Sequence, residues 1–130
     1  MSNFNYLTLD EIIAIHFDQL ERYGGSHGIR DLDLLFSAIA RTQATFGGFE
    51  LYPDIFKKVA ALFHSLILNH PFVDGNKRTA VVSAGRMLNI NGHQLSCTKQ
   101  EITNFPISVA SKKIDMEEIS GWFKKHSKKI

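Results

Sequence analysis

A histidine, an acid, a glycine, an amide and two bases crowd into one short stretch of this chain, His70-Pro71-Phe72-Val73-Asp74-Gly75-Asn76-Lys77-Arg78. A neutral imidazole accepts a proton from an attacking hydroxyl near neutral pH, so His70 is a candidate general base. Asp74 alone cannot cage a metal, but it can hold Mg²⁺ where nucleotide phosphates and water complete the octahedron. Gly75 permits backbone angles closed to other residues, so successive N–H groups can turn inward as an anion nest. Asn76 follows it, and Lys77 and Arg78 add formal positive charge against phosphate oxygens. Base, metal ligand and anion cradle are what phosphoryl transfer needs, because that reaction is mostly positioning and charge stabilisation. The same residue types also build ordinary polar turns, with Asp and Gly as turn formers. Residue types alone leave both readings open.

The stretch lies where one strongly apolar helical pattern stops and another begins. Ile55, Phe56, Val59, Leu62, Phe63, Leu66 and Ile67 give the preceding segment a broad apolar face, suited to burial on more than one side. Helical spacing resumes through Ala80, Val81, Ala84, Met87 and Leu88 until Asn91-Gly92. Thr8 with Glu11 and Thr98 with Glu101 form capping boxes, and Asp31 and Asp115 are further helix starts. The first helix is expected to stop at Gly24-Gly25, and Gly47-Gly48 to close the second segment. Pro53 suits the first turn of the third helix, and Pro106 is expected to kink or divide the fifth. Trp122 and Phe123 on a short last helix read as core. One strand candidate spans His93 to Cys97. The expected fold is all-α: a single domain over 1–130, with six or seven helices around one central pair.

Composition narrows the function classes. Fifteen Lys and Arg against thirteen Asp and Glu give a net charge of only +2, which does not suggest direct binding to nucleic acid. Lys124, Lys125, Lys128 and Lys129 read as a solvated, fraying helix end. Cys97 is the single cysteine, so no disulfide framework is expected. The polar Met1–Asp10 segment lacks a signal-peptide layout, and no apolar run suits a membrane span. A cytoplasmic protein is the resulting expectation. His64 and His70 are off the spacing of a helical metal pair. His16 and His64 read as satisfied core or boundary histidines, and His27, His93 and His126 as surface residues.

As a whole string, residues 70–78 resemble the motif of the Fic/Doc superfamily: His-Pro-Phe, any residue, an acid, a small residue, Asn, then Gly or Lys, then Arg. The resemblance extends through Tyr23-Gly24-Gly25, Gly28-Ile29-Arg30-Asp31 and Leu34-Leu35, and covers most of the chain. In length and flanks it is similar to the Doc branch, the death-on-curing toxins of toxin–antitoxin pairs. The resemblance implies a compact Fic/Doc-type helical bundle. It implies His70 as general base, Asp74 as Mg²⁺ ligand, and Gly75, Asn76, Lys77 and Arg78 as the phosphate cradle for ATP. Phe72 reads as an anchor for the loop.

Lys77 separates two activities within the superfamily. Members that transfer AMP usually carry Gly at this position and often a second arginine three residues beyond the first; this chain has Lys77 and Val81. Doc-type members share the lysine, and hold ATP reversed so that its γ-phosphate meets the target hydroxyl. The resemblance therefore implies a protein kinase that arrests translation by phosphorylating elongation factor Tu. The alternatives are a Fic-type AMP transferase and a catalytically silent antitoxin-binding module. The Tyr23–Arg30 connection could serve as the substrate-aligning flap or be a plain loop, and Arg30 with Asp31 reads as a helix-start salt bridge. No segment fits the self-inhibiting helix of many Fic proteins. An external restraint is expected, a Phd-like antitoxin whose disordered tail folds into a groove between helices.

Overall fold

A computed structural model describes residues 3–130, so the first two residues of the expected 1–130 domain lie outside it. Among the described residues, six helices and two short antiparallel strand pairs make up the fold. Most helix starts are written in side-chain chemistry. Thr8 accepts from the Glu11 amide while Glu11 accepts from the Thr8 amide, opening α1 (Leu9–Tyr23). Asp31 caps α2 (Leu32–Arg41) and Asp54 caps α3 (Ile55–Leu68). The Thr98–Glu101 box opens α5 (Lys99–Ser111), and Asp115 caps α6 (Met116–Lys125). Each such cap contributes about 1 kcal/mol over alanine. The exception is α4 (Asn76–Asn89), which starts at Gly75 with no side-chain cap.

The central pair is α3 and α4. Ten of the fourteen residues of α3 are buried, as its broad apolar face requires, and α2, α5 and α6 also pack on it. From α4 the core takes Ala80, Ala84, Met87 and Leu88. Phe63 meets Phe123 edge-on, and Trp122 stacks flat on Phe105 with centroids 4.1 Å apart. Full burial of Phe63 and Phe123 stabilises by about 1.5–3 kcal/mol each. Among the described residues no helix is long and apolar enough to cross a membrane.

Several local expectations are corrected. Gly47-Gly48 does not simply close a helical segment: α2 stops at Arg41, and the glycines, both at positive φ, turn the hairpin β1 (Thr45–Phe46) to β2 (Phe49–Glu50). Pro53 stands outside α3, because Asp54 takes the capping position. Pro106 does not divide α5, which runs through it to Ser111 with the ring buried. β3 (His93–Leu95) falls inside the expected strand segment. Its partner is β4 (Ser127–Lys129), so Lys128 and Lys129 belong to a strand and not to a frayed helix. His93 and His126 are half-buried: His93 packs edge-on against Phe56, while His126 stacks on Trp122 and pairs with Glu101.

A charge sits near the start of the apolar α3. Lys58 is fully buried, with Nζ 2.6 Å from Glu50 Oε1 and 3.1 Å from the Thr42 carbonyl. It ties the hairpin to the core.

Candidate active site

The 70–78 stretch occupies the corner where α3 ends and α4 begins. His70 adopts φ +47°, in the left-handed region that costs a non-glycine residue about 1 kcal/mol or more. Arg30 holds this turn from outside, donating from Nε to the His70 carbonyl at 2.6 Å and from Nη2 to the Asn69 carbonyl at 2.6 Å. Arg30 is therefore not a salt-bridge partner of Asp31; its guanidinium fixes the backbone that carries His70. The His70 side chain itself is exposed.

Main chain from the α1–α2 connection braces the loop further. The Arg30 and Asp31 amides donate to the Pro71 carbonyl at 2.7 and 3.0 Å, and the Val73 amide donates to the Gly28 carbonyl at 3.0 Å. Ile29 and Phe72 face each other as an antiparallel bridge. The Tyr23–Arg30 connection is thus no free interhelical loop but a strand-like backing to the motif. Phe72 is the anchor expected, 1% exposed. Its amide donates to Asn76 Oδ1 and its carbonyl accepts from Asn76 Nδ2, each at 3.0 Å. Asn76 thereby spends its buried side chain on the loop backbone, and only its main-chain amide is available to the cradle.

Asp74 is exposed, with its carboxylate oriented by two backbone amides: Ser26 donates to Oδ2 at 3.1 Å and Gly75 to Oδ1 at 2.8 Å. These bonds hold its carboxyl below the usual range, so it is ionised at neutral pH. Gly75 has φ +77°, and a Cβ there would stand 2.9 Å from Leu20. The turn aims the uncapped start of α4 outward, where its first N–H groups have no intrahelical acceptor. Lys77 is exposed beside them. Arg78 donates to the Gly24 carbonyl at 2.9 Å and lies over the Tyr23 ring. His70, Val73, Asp74, Gly75, Asn76, Lys77 and Arg78 together line one open depression of about 300 Å³.

All the expected site residues therefore converge on one surface. Among the described residues no group of three or more His, Cys, Asp or Glu could cage a metal. The donor set suits a hard cation that takes one carboxylate and completes its shell with phosphate oxygens and water. The amides of α4, Lys77 and Arg78 fit a polyanion. Sequence reasoning missed the braces. His16, 4% exposed, stacks on Phe72 with centroids 3.8 Å apart and donates from Nε2 to the Asp74 carbonyl at 2.8 Å. Burial lowers its pKa. Its place in an apolar helix identified it as a core histidine and nothing more.

Residues 6–88 match the Fic/DOC family. The chain is 42% identical to the Toxin Doc of Mycolicibacterium smegmatis over 103 residues, covering 75% of this chain and 77% of that protein. It is 30% identical to the Protein kinase doc of Escherichia phage P1 over 115 residues, covering 88% and 90% respectively.

Proposed function

The chain belongs to the Fic/DOC family, in its Doc branch, and from that premise we propose that it is the toxin of a toxin–antitoxin pair, acting as a protein kinase that transfers the γ-phosphate of ATP. The observation that carries this reading is the convergence of His70, Asp74, Lys77, Arg78 and the uncapped α4 amides on one depression. His70 takes the proton of a target hydroxyl as that oxygen bonds to the γ-phosphorus, and the bond to the bridging oxygen breaks to release ADP. The α4 amides with Lys77 and Arg78 bind and orient the phosphates, and Asp74 would hold Mg²⁺. The bound cation supplies charge neutralisation along the triphosphate. Elongation factor Tu is the target the resemblance suggests.

An antitoxin has a suitable seat nearby. α1, α4 and α5 enclose a groove of about 490 Å³, with Tyr23, Val81, Ile102 and Pro106 along its walls and Lys77, Arg78 and Lys99 at its edge. An amphipathic tail with acidic residues matches apolar walls with a basic edge. Because Lys77 and Arg78 line both groove and depression, an occupant of one reaches the other.

The test uses purified chain, Mg²⁺, elongation factor Tu, and ATP labelled in parallel at the α- or γ-phosphate. Label from the γ position alone, lost in H70A, is the expected result. Label from the α position would make the chain an AMP transferase and would remove the role given to Lys77. No transfer, with antitoxin binding and host toxicity retained in H70A, would leave only the silent binding module.

A further inference from the structure

His16 comes from α1, outside the 70–78 run, yet it touches that run twice. Its ring lies flat on Phe72, at an interplanar angle of 8°, and its Nε2 reaches the Asp74 carbonyl at 2.8 Å. A carbonyl oxygen only accepts, so Nε2 carries the proton. At 4% exposure the bond is shielded from competing water.

We propose that His16 is a positioning residue that locks the Asp74–Gly75 peptide in one orientation, a role that rests on reading this loop as the nucleotide cradle. A trans peptide holds its C=O and N–H in one plane, pointing in opposite directions. With the Asp74 carbonyl held by His16, the Gly75 N–H must point the other way. There it donates to Asp74 Oδ1 at 2.8 Å, on the side of the carboxylate and the depression it lines. Reversing this peptide changes chiefly ψ of Asp74 and φ of Gly75. Gly75 stands at φ +77°, and the reversed form needs negative φ, which glycine adopts as readily. The turn therefore does not hold itself: the residue that permits it also makes its reversal easy.

Reversal would have two effects. The Asp74 carbonyl, a negative dipole end, would replace an N–H donor beside the phosphate cradle. The Asp74 carboxylate would lose the Gly75 amide and keep only the Ser26 amide. Both effects weaken anion and cation binding together. α1 closes the loop from this side with one further side chain, Leu20, which fills the space where a Cβ on Gly75 would lie.

The full chain, ¹⁵N-labelled, tests this with two substitutions. H16F keeps a flat ring on Phe72 without the donor; H16Q restores an N–H without the ring. Without nucleotide, the Gly75 amide resonance is expected to be single in wild type and H16Q, and shifted or doubled in H16F. Calorimetric affinity for Mg·ATP is expected to fall about tenfold in H16F and to recover for the most part in H16Q. If H16F does not fold, H16L serves as the donor-less variant. An unmoved Gly75 amide in a folded donor-less variant overturns the lock, as does an equal loss of affinity in H16F and H16Q. Failure of wild type itself to bind Mg·ATP would strike the nucleotide reading instead, and the Gly75 amide still decides the lock.

Discussion

At the scale of single residues, the chemistry of this site is local in sequence and its support is not. His70, Asp74, Lys77 and Arg78 fall within nine positions, so their types and spacing expose them directly. Arg30 acts on His70 from 40 positions away, Ser26 on Asp74 from 48, and His16 on Asp74 from 58. No periodicity or spacing rule reaches that far, and an arginine beside an aspartate at a helix start reads as that aspartate's salt-bridge partner. Arg30 carries a clear expectation. Its two bonds hold the left-handed His70 backbone without touching the α4 amides, Lys77 or Arg78. R30M should therefore lower single-turnover phosphate transfer about 10²-fold, the scale of a small misplacement of a reacting group. Its affinity for Mg·ATP should stay unchanged. Single-turnover assays beside calorimetry check this, and loss of both together would show that Arg30 supports the whole loop instead.

Among the elements, the helices and β3 were legible and the other short strands were not. Capping residues and apolar spacing gave the starts of α1, α2, α5 and α6, because those signals are local. The β1–β2 hairpin escaped because two-residue strands carry no alternation, and β4 because Ser127–Lys129 reads only as charge. Lys58 escaped because a lysine paired with Lys57 in an otherwise apolar run reads as the solvent side of a helix. Its burial makes the join between β2 and α3 an ionic one. Removing one member of a buried pair leaves the other uncompensated, so E50L should destabilise the fold by about 3 kcal/mol. The E50L/K58M double substitution should recover most of that loss. Denaturant titration of E50L, K58M and the double variant measures it; additive losses would mean that the pair is not coupled.

For the whole molecule, the deep burial of α3 and the overall helical class were readable because a broad apolar face can only be buried; which helix pairs with α3 was not. Stability carries a pH signature from within that frame. His64 Nδ1 accepts from Arg41 at 2.9 Å, and burial, with the nearby guanidinium, lowers the His64 pKa from 6.5. A depressed folded pKa means that the unfolded chain binds the proton first as pH falls. The contribution is therefore complete above 6.5 and is lost as pH falls through 6.5 toward the folded value. Urea midpoints should drop between pH 7.5 and pH 5.5, with a smaller drop in H64Q; an equal drop would place the acid sensitivity elsewhere. The α1–α2 connection has a different consequence. Apart from the Arg30 side chain, it braces the loop through main-chain groups at Ser26, Gly28, Arg30 and Asp31, so its length must be kept. Ser26 and His27 can vary in identity. Gly25 and Gly28 cannot, since a Cβ would come within 2.8 Å of Asp74 or 3.2 Å of Val73. A scan of this segment should find substitutions at Ser26 and His27 near neutral, while any single-residue deletion between Gly25 and Arg30 abolishes toxicity. The segment is thus free in two of its letters and fixed in its count.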